Sequence, residues 1–174
     1  MLGGVGLAAL LGAHAAGARQ IVAIDRLDEK LERAYALGAT HAFNADDPDL
    51  VAQVKAATNG GVEYAIEAAS SVDALEMAYR ITRRGGTTVT CSLPHPDHRF
   101  NLQAVNLVAE ERTIKGCYLG SAVPARDIPH YIALYHAGKL PVDKLITSRI
   151  RLDEINAGFD RLAAGEAVRQ VIVF

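Results

Sequence analysis

The sequence predicts an α/β protein: a doubly wound parallel sheet whose first strand is largely missing, followed by a helix-and-strand tail. Three observations carry this. Short apolar runs rich in β-branched residues alternate with amphipathic stretches from about residue 20 to residue 118. The chain opens on a glycine turn, Leu2-Gly3-Gly4-Val5-Gly6, that leads straight into a small-residue helix. The next apolar run, Ile21-Val22-Ala23-Ile24, closes on Asp25, 19 residues beyond Gly6.

Taken in order, the glycine turn starts a helix from Val5 to about Ala16. Gly3 lets a backbone approach a pyrophosphate closely, and Gly6 lets the helix pack tightly on the sheet. The first position of the G-x-G-x-x-G pattern holds Met1, and the strand that normally precedes such a turn is absent. Gln20–Asp25 reads as a strand buried on both faces, and Asp25 stands where a carboxylate meets the adenosine ribose hydroxyls. A helix follows from Asp28 to Leu37, stopped by Gly38, then a short strand His41–Asn44. Asp46-Asp47-Pro48 predicts a helix start, running to about Thr58 before Asn59-Gly60-Gly61 breaks it. Val62–Ala68 is the next strand. Ser70-Ser71 caps a helix to about Thr82, which Arg83-Arg84-Gly85-Gly86 ends with a basic glycine turn. Thr87–Ser92 is a strand, Phe100–Leu102 an alternating piece expected as an exposed edge, Ala104 to Glu110 a short helix, and Thr113–Tyr118 a further strand. Beyond it come helices over Asp127–Ala137 and Asp153–Ala164, with strands Ile146–Ile150 and Gln170–Phe174.

Half of the 174 residues are hydrophobic and the formal charge is −2, which suits a packed core and gives no electrostatic reason to expect nucleic acid or an anionic membrane as partner. Cys91 and Cys117 lie in apolar runs without C-x-x-C spacing and read as small buried hydrophobes in a reducing, cytoplasmic setting. His95-Pro96-Asp97-His98 has the residue types of a metal site, but Pro96 and the loop setting favour a polar surface turn. No metal site is expected in the chain.

The chain resembles the zinc-dependent medium-chain alcohol dehydrogenases over nearly its whole length. The resemblance rests on Leu2-Gly3-Gly4-Val5-Gly6, Leu37-Gly38-Ala39-Thr40, Arg84-Gly85-Gly86, Ile114-Lys115-Gly116 and the tail Leu152–Phe174, with Ile155-Asn156-Ala157-Gly158-Phe159-Asp160 ahead of Gly165-Glu166-Ala167-Val168-Arg169. It implies a Rossmann-type cofactor domain over residues 1–118 and a tail of the catalytic domain over residues 119–174. It also implies that Gly4 and Val5 present N–H groups to the pyrophosphate, with Arg169 reaching it from the tail. Asp25 and Lys30 would serve the ribose. Ala69, Ser92 and Leu93 would line the cleft, and the Leu119 backbone would meet the nicotinamide carboxamide. Asp25 repels a 2′-phosphate, so NAD is expected over NADP, although the neighbouring Arg26 can pair with that phosphate.

In this family the zinc ligands and proton relay precede the stretch matched here, so the chain is expected to be the cofactor half of a longer, N-terminally truncated enzyme with no catalytic residue of its own. The missing first strand would leave a gap between the second and fourth strands of a 3-2-1-4-5-6 sheet. The implied partners are a small alcohol or aldehyde and a second copy bound through the region around Phe100–Leu102. Two other readings stand beside this one: a non-catalytic nucleotide-binding and dimerising module, and a relative of the zinc-free quinone reductases.

Overall fold

A computed structural model describes residues 2–174; Met1, which takes the first position of the glycine pattern, lies outside them. The alternation holds from the start: α1 (Gly4–Ala15), β1 (Val22–Asp25), α2 (Asp28–Ala36), β2 (His41–Asn44), α3 (Leu50–Ala57) and β3 (Val62–Glu67). It continues through α4 (Val72–Ile81), β4 (Thr82–Thr90), α5 (Ala104–Ala109) and β5 (Thr113–Gly116). The tail adds α6 (Pro124–His136), β6 (Ile146–Ile150), α7 (Ile155–Ala163) and β7 (Arg169–Ile172).

Every ladder is parallel. β1 pairs with β2, with Asp25 opposite Asn44, while β3, β4 and β5 form a second sheet in that order. Among the described residues no ladder joins β1 to β3, so the break falls where the absent first strand was expected. β1 is covered on both faces. Ala23 of β1 packs with Leu7, Leu10 and Leu11 of α1 and Ala34 of α2, whereas its neighbours Val22 and Ile24 lean on Leu50, Val54, Ala78 and Ile81 of α3 and α4. Alternate side chains of one strand thus serve two cores, which is the physical content of a doubly wound fold. Leu145 and Val168 from the tail enter the α1 core and tie that tail to the first helix.

Several boundaries differ from the sequence reading, each for a visible reason. Asp47 does not start a helix: its Oδ1 accepts from Asp49 N at 2.8 Å, a turn that delays α3 to Leu50. Arg83–Gly86 is a bulge within β4, because Thr82 pairs with Val62 and Thr87 with Tyr64. The buried Thr82 hydroxyl stitches the bulge to Ala78 O and the Thr88 hydroxyl, both at 2.8 Å, and a Cβ on Gly61 (φ +129°) would meet Ile81 O at 2.5 Å. Phe100–Leu102 forms no strand: Glu76 takes the Asn101 N–H at 2.9 Å and Phe100 packs edge-on against Tyr79, which holds the segment on α4. α6 begins earlier than Asp127, at Pro124, since proline suits a first turn and Asp127 accepts from Val123 N at 2.8 Å. A 3-10 turn, Leu152–Glu154, takes the opening of the helix expected from Asp153. Cys91 and Cys117 are half-buried free thiols, less enclosed than expected, each lying just past the end of its strand.

Candidate functional site

The N-terminus of α1 carries the positive end of the helix dipole. Gly3 is extended at the cap position and its carbonyl accepts from Leu7 N at 2.9 Å. Among the described residues no side chain caps the first turn and no acidic residue lies in it, which leaves the amides of Gly4, Val5 and Gly6 available to a ligand. A Cβ on Gly4 would stand 2.8 Å from Arg169 Nη2 and 3.3 Å from its Cζ. The guanidinium thus occupies the space a side chain at residue 4 would need. The Thr147 hydroxyl fixes the backbone that carries it, accepting from the amides of Val168 and Arg169 at 3.3 Å and donating to Arg169 O at 2.9 Å. A cation and the positive end of a helix dipole thus converge from opposite ends of the chain.

Asp25 closes β1 beside this turn and is 4% exposed. Its Oδ2 accepts from Leu2 N at 2.5 Å and its Oδ1 from Leu27 N at 3.1 Å, which orients the carboxylate and leaves lone pairs on both oxygens. Arg26 points elsewhere: its Nε lies 2.9 Å from Asp46, in an exposed pair. Lys30 reaches the loop after α7, where its Nζ would be 3.5 Å from a Cβ on Gly165.

At the same end of the second sheet, Ala69 and Ser92 gather on one side chain that the sequence reading did not single out. Glu67, the last residue of β3 and 4% exposed, accepts from the Ser92 hydroxyl at 2.6 Å, the Thr90 hydroxyl at 2.7 Å and the Ala69 amide. Burial pushes its carboxyl up, but these three donors outweigh that and hold it below the ordinary glutamate range. The sequence holds one signal: β3, like β1, ends on an acid. Burial and the Glu67 charge together raise the Cys91 thiol, whose sulfur donates to Glu67 O at 3.1 Å. Leu93 and Leu119, just past β4 and β5, are 77% and 80% exposed, and Leu119 opens a 3-10 turn with φ +48°. The residues chosen from sequence therefore fall into two groups, Gly3–Gly6 with Asp25 and Arg169, and Ala69 with Ser92. Leu93 and Leu119 are exposed just past β4 and β5, and Arg26 is engaged with Asp46.

A cavity of about 610 Å³ between α3, α4 and α5 is lined by none of these residues. Among the described residues no group of three His, Cys, Asp or Glu could hold a metal ion, and no helix is long and apolar enough to cross a membrane. His95 and His98 form a surface turn, His98 N donating to His95 O at 3.0 Å.

Residues 4–137 match the family model described as zinc-binding dehydrogenase. The chain is 39% identical over 173 residues to a geraniol dehydrogenase of Castellaniella defragrans, covering 99% of this chain and 46% of that protein. It is 37% identical over 174 residues to alcohol dehydrogenase 1 of Cenchrus americanus, with 98% and 46% covered. The crystal structure of benzyl alcohol dehydrogenase from Acinetobacter calcoaceticus superposes with a TM-score of 0.94 at 34% identity, over 98% of this chain and 47% of that one. The chain spans about half the length of the relatives it matches. It belongs to the zinc-binding dehydrogenase family.

Proposed function

We propose that this chain is the cofactor-binding portion of an NAD-dependent alcohol dehydrogenase, with the dinucleotide lying across the carboxyl ends of the strands. The observation that carries the reading is the meeting of the uncapped α1 turn, the Arg169 guanidinium over Gly4 and the oriented Asp25 carboxylate. The amides of Gly4 and Val5 and the Arg169 side chain would hold the pyrophosphate by charge-assisted hydrogen bonds. Asp25, helped by Lys30, would accept from the ribose hydroxyls. Ala69, Ser92 and Leu93 would wall the cleft, and the Leu119 backbone would orient the nicotinamide, which accepts the hydride when bound. A 2′-phosphate would meet Asp25, and Arg26 is already paired with Asp46, so NAD is favoured over NADP.

The names of the relatives support an alcohol as substrate, with an aldehyde or ketone as product. The zinc of such an enzyme would be held by residues outside this chain, where it would polarise the alcohol oxygen. On this reading residues 1–118 form the cofactor domain and residues 119–174 the tail of a catalytic one. Self-association near Phe100–Leu102 belongs to the same proposal, supported by the outer edge of β5, which pairs with no strand among the described residues. Calorimetric titration of the chain with NAD and with NADP tests it. Binding of NAD well above NADP is expected; a folded chain that takes up neither, or prefers NADP, contradicts it.

A further inference from the structure

We infer that Glu67 is a positioning residue that sets the wall of the cofactor cleft by clamping the ends of β3 and β4 together. The inference rests on the proposed cofactor site and adds to it a residue that makes no cofactor contact there. Glu67 is a carboxylate in a buried position, and an isolated carboxylate there is costly unless its charge is met by donors. Each donor it has comes from a segment that lines the cleft. Oε1 takes the Ala69 amide, two residues along the same chain, which turns the backbone sharply out of β3. Oε2 takes the hydroxyls of Thr90 and Ser92 at 2.7 Å and 2.6 Å, from the end of β4 and the loop beyond it. The Cys91 amide, between them, donates to Glu67 O at 3.0 Å. One side chain and its own carbonyl thus fix the spacing between Ala69 and Ser92.

The strand ladder cannot do this alone. The last paired position of β3 and β4 is Glu67 with Thr90, so Ala69 and Ser92 both lie beyond it. On the β1 side of β3 no ladder supports that end among the described residues. Neither Ala69 nor Ser92 offers a large side chain that could fix its own place by packing. Their placement depends on hydrogen bonds, and those converge on Glu67. A short apolar residue in its place would leave two hydroxyls and an amide without their acceptor.

The experiment compares Glu67→Gln with Glu67→Met by calorimetric titration with NAD, together with the proton shift and exchange rate of the Ala69 amide in the cofactor-free chain. Glu67→Met keeps an unbranched buried side chain but no oxygen. Its NAD affinity is expected to fall about tenfold or more, with the Ala69 amide shifted upfield and exchanging faster. Glu67→Gln can accept the Ala69 amide and donate to the two hydroxyls, which rotate to receive it, so affinity is expected to stay within about threefold. A folded Glu67→Met chain with wild-type affinity overturns the inference, as does a Glu67→Gln chain as impaired as Glu67→Met. If Glu67→Met fails to fold, Ser92→Ala with Thr90→Val removes the β4 half of the clamp, and unchanged affinity in that chain overturns it equally. A wild-type chain that binds no NAD would refute the proposed function instead, and the clamp would then stand or fall on whether the Ala69 amide moves in the variants.

Discussion

Two helices of nearly equal length show what this chain does and does not organise. α1 has 12 residues and buries Leu7, Leu10 and Leu11; α6 has 13 and buries none. The stripe Ile128, Tyr131, Ile132 and Tyr135 on α6 has the spacing of a core-facing helix, yet all four are exposed. α1 is also the helix whose amino end lies under Arg169 and next to Asp25. Packing and the candidate site coincide on one element, while α6 carries exposed apolar surface and no candidate site residue. Amphipathic pattern alone states that a helix wants a partner; only the surrounding chain decides whether it has one.

Shortening one leucine on α1 and one isoleucine on α6 puts this contrast under the most strain. Leu7 is fully buried, so Leu7→Ala is expected to cost roughly 3–5 kcal/mol in urea unfolding. Ile132→Ala should change stability by no more than about 0.5 kcal/mol. Equal losses would mean that α6 is packed in solution.

The candidate site should respond in the opposite sense, with affinity changing and stability hardly at all. Arg169→Ala is expected to weaken NAD binding about tenfold to a hundredfold in calorimetry, with an unfolding midpoint close to wild type because the side chain is exposed. Asp25→Asn removes the charge while keeping an acceptor. It should weaken NAD by about tenfold and narrow its advantage over NADP; an unchanged ratio would detach Asp25 from the ribose.

The smallest expected effect lies at the start of α6. Arg126 beside Asp127, with the Val123 amide, holds that carboxyl at about 2, below its ordinary value of 3.8. A folded value lowered in this way adds stability at pH above the ordinary aspartate range and loses it as pH falls through about 2. A carboxyl carbon titration followed by NMR should show a midpoint near 2, with the Val123 amide moving in step. A midpoint near 3.8 would show that the cap does not form.

Much of this architecture is legible in the amino-acid sequence. The glycine turn, the acid closing β1 and the alternation of runs point to the doubly wound order, including the break between β1 and β3, because each depends on neighbours close in sequence. What escapes depends on distant partners. Phe100–Leu102 has a strand's alternation, but Glu76 and Tyr79 hold it on α4. Arg83–Gly86 reads as a helix stop and is a bulge, because Thr82 already pairs with Val62. Glu67 is, in sequence, the second of two glutamates in one strand; what sets it apart lies in Thr90 and Ser92, 23 and 25 residues on.

A crystal structure of the chain grown with NAD would decide the cofactor reading. The pyrophosphate is expected on the amides of Gly4 and Val5 with Arg169 across it, and the adenosine ribose on Asp25. Density for the dinucleotide in the cavity between α3, α4 and α5, or an empty α1 turn at saturating NAD, would contradict it.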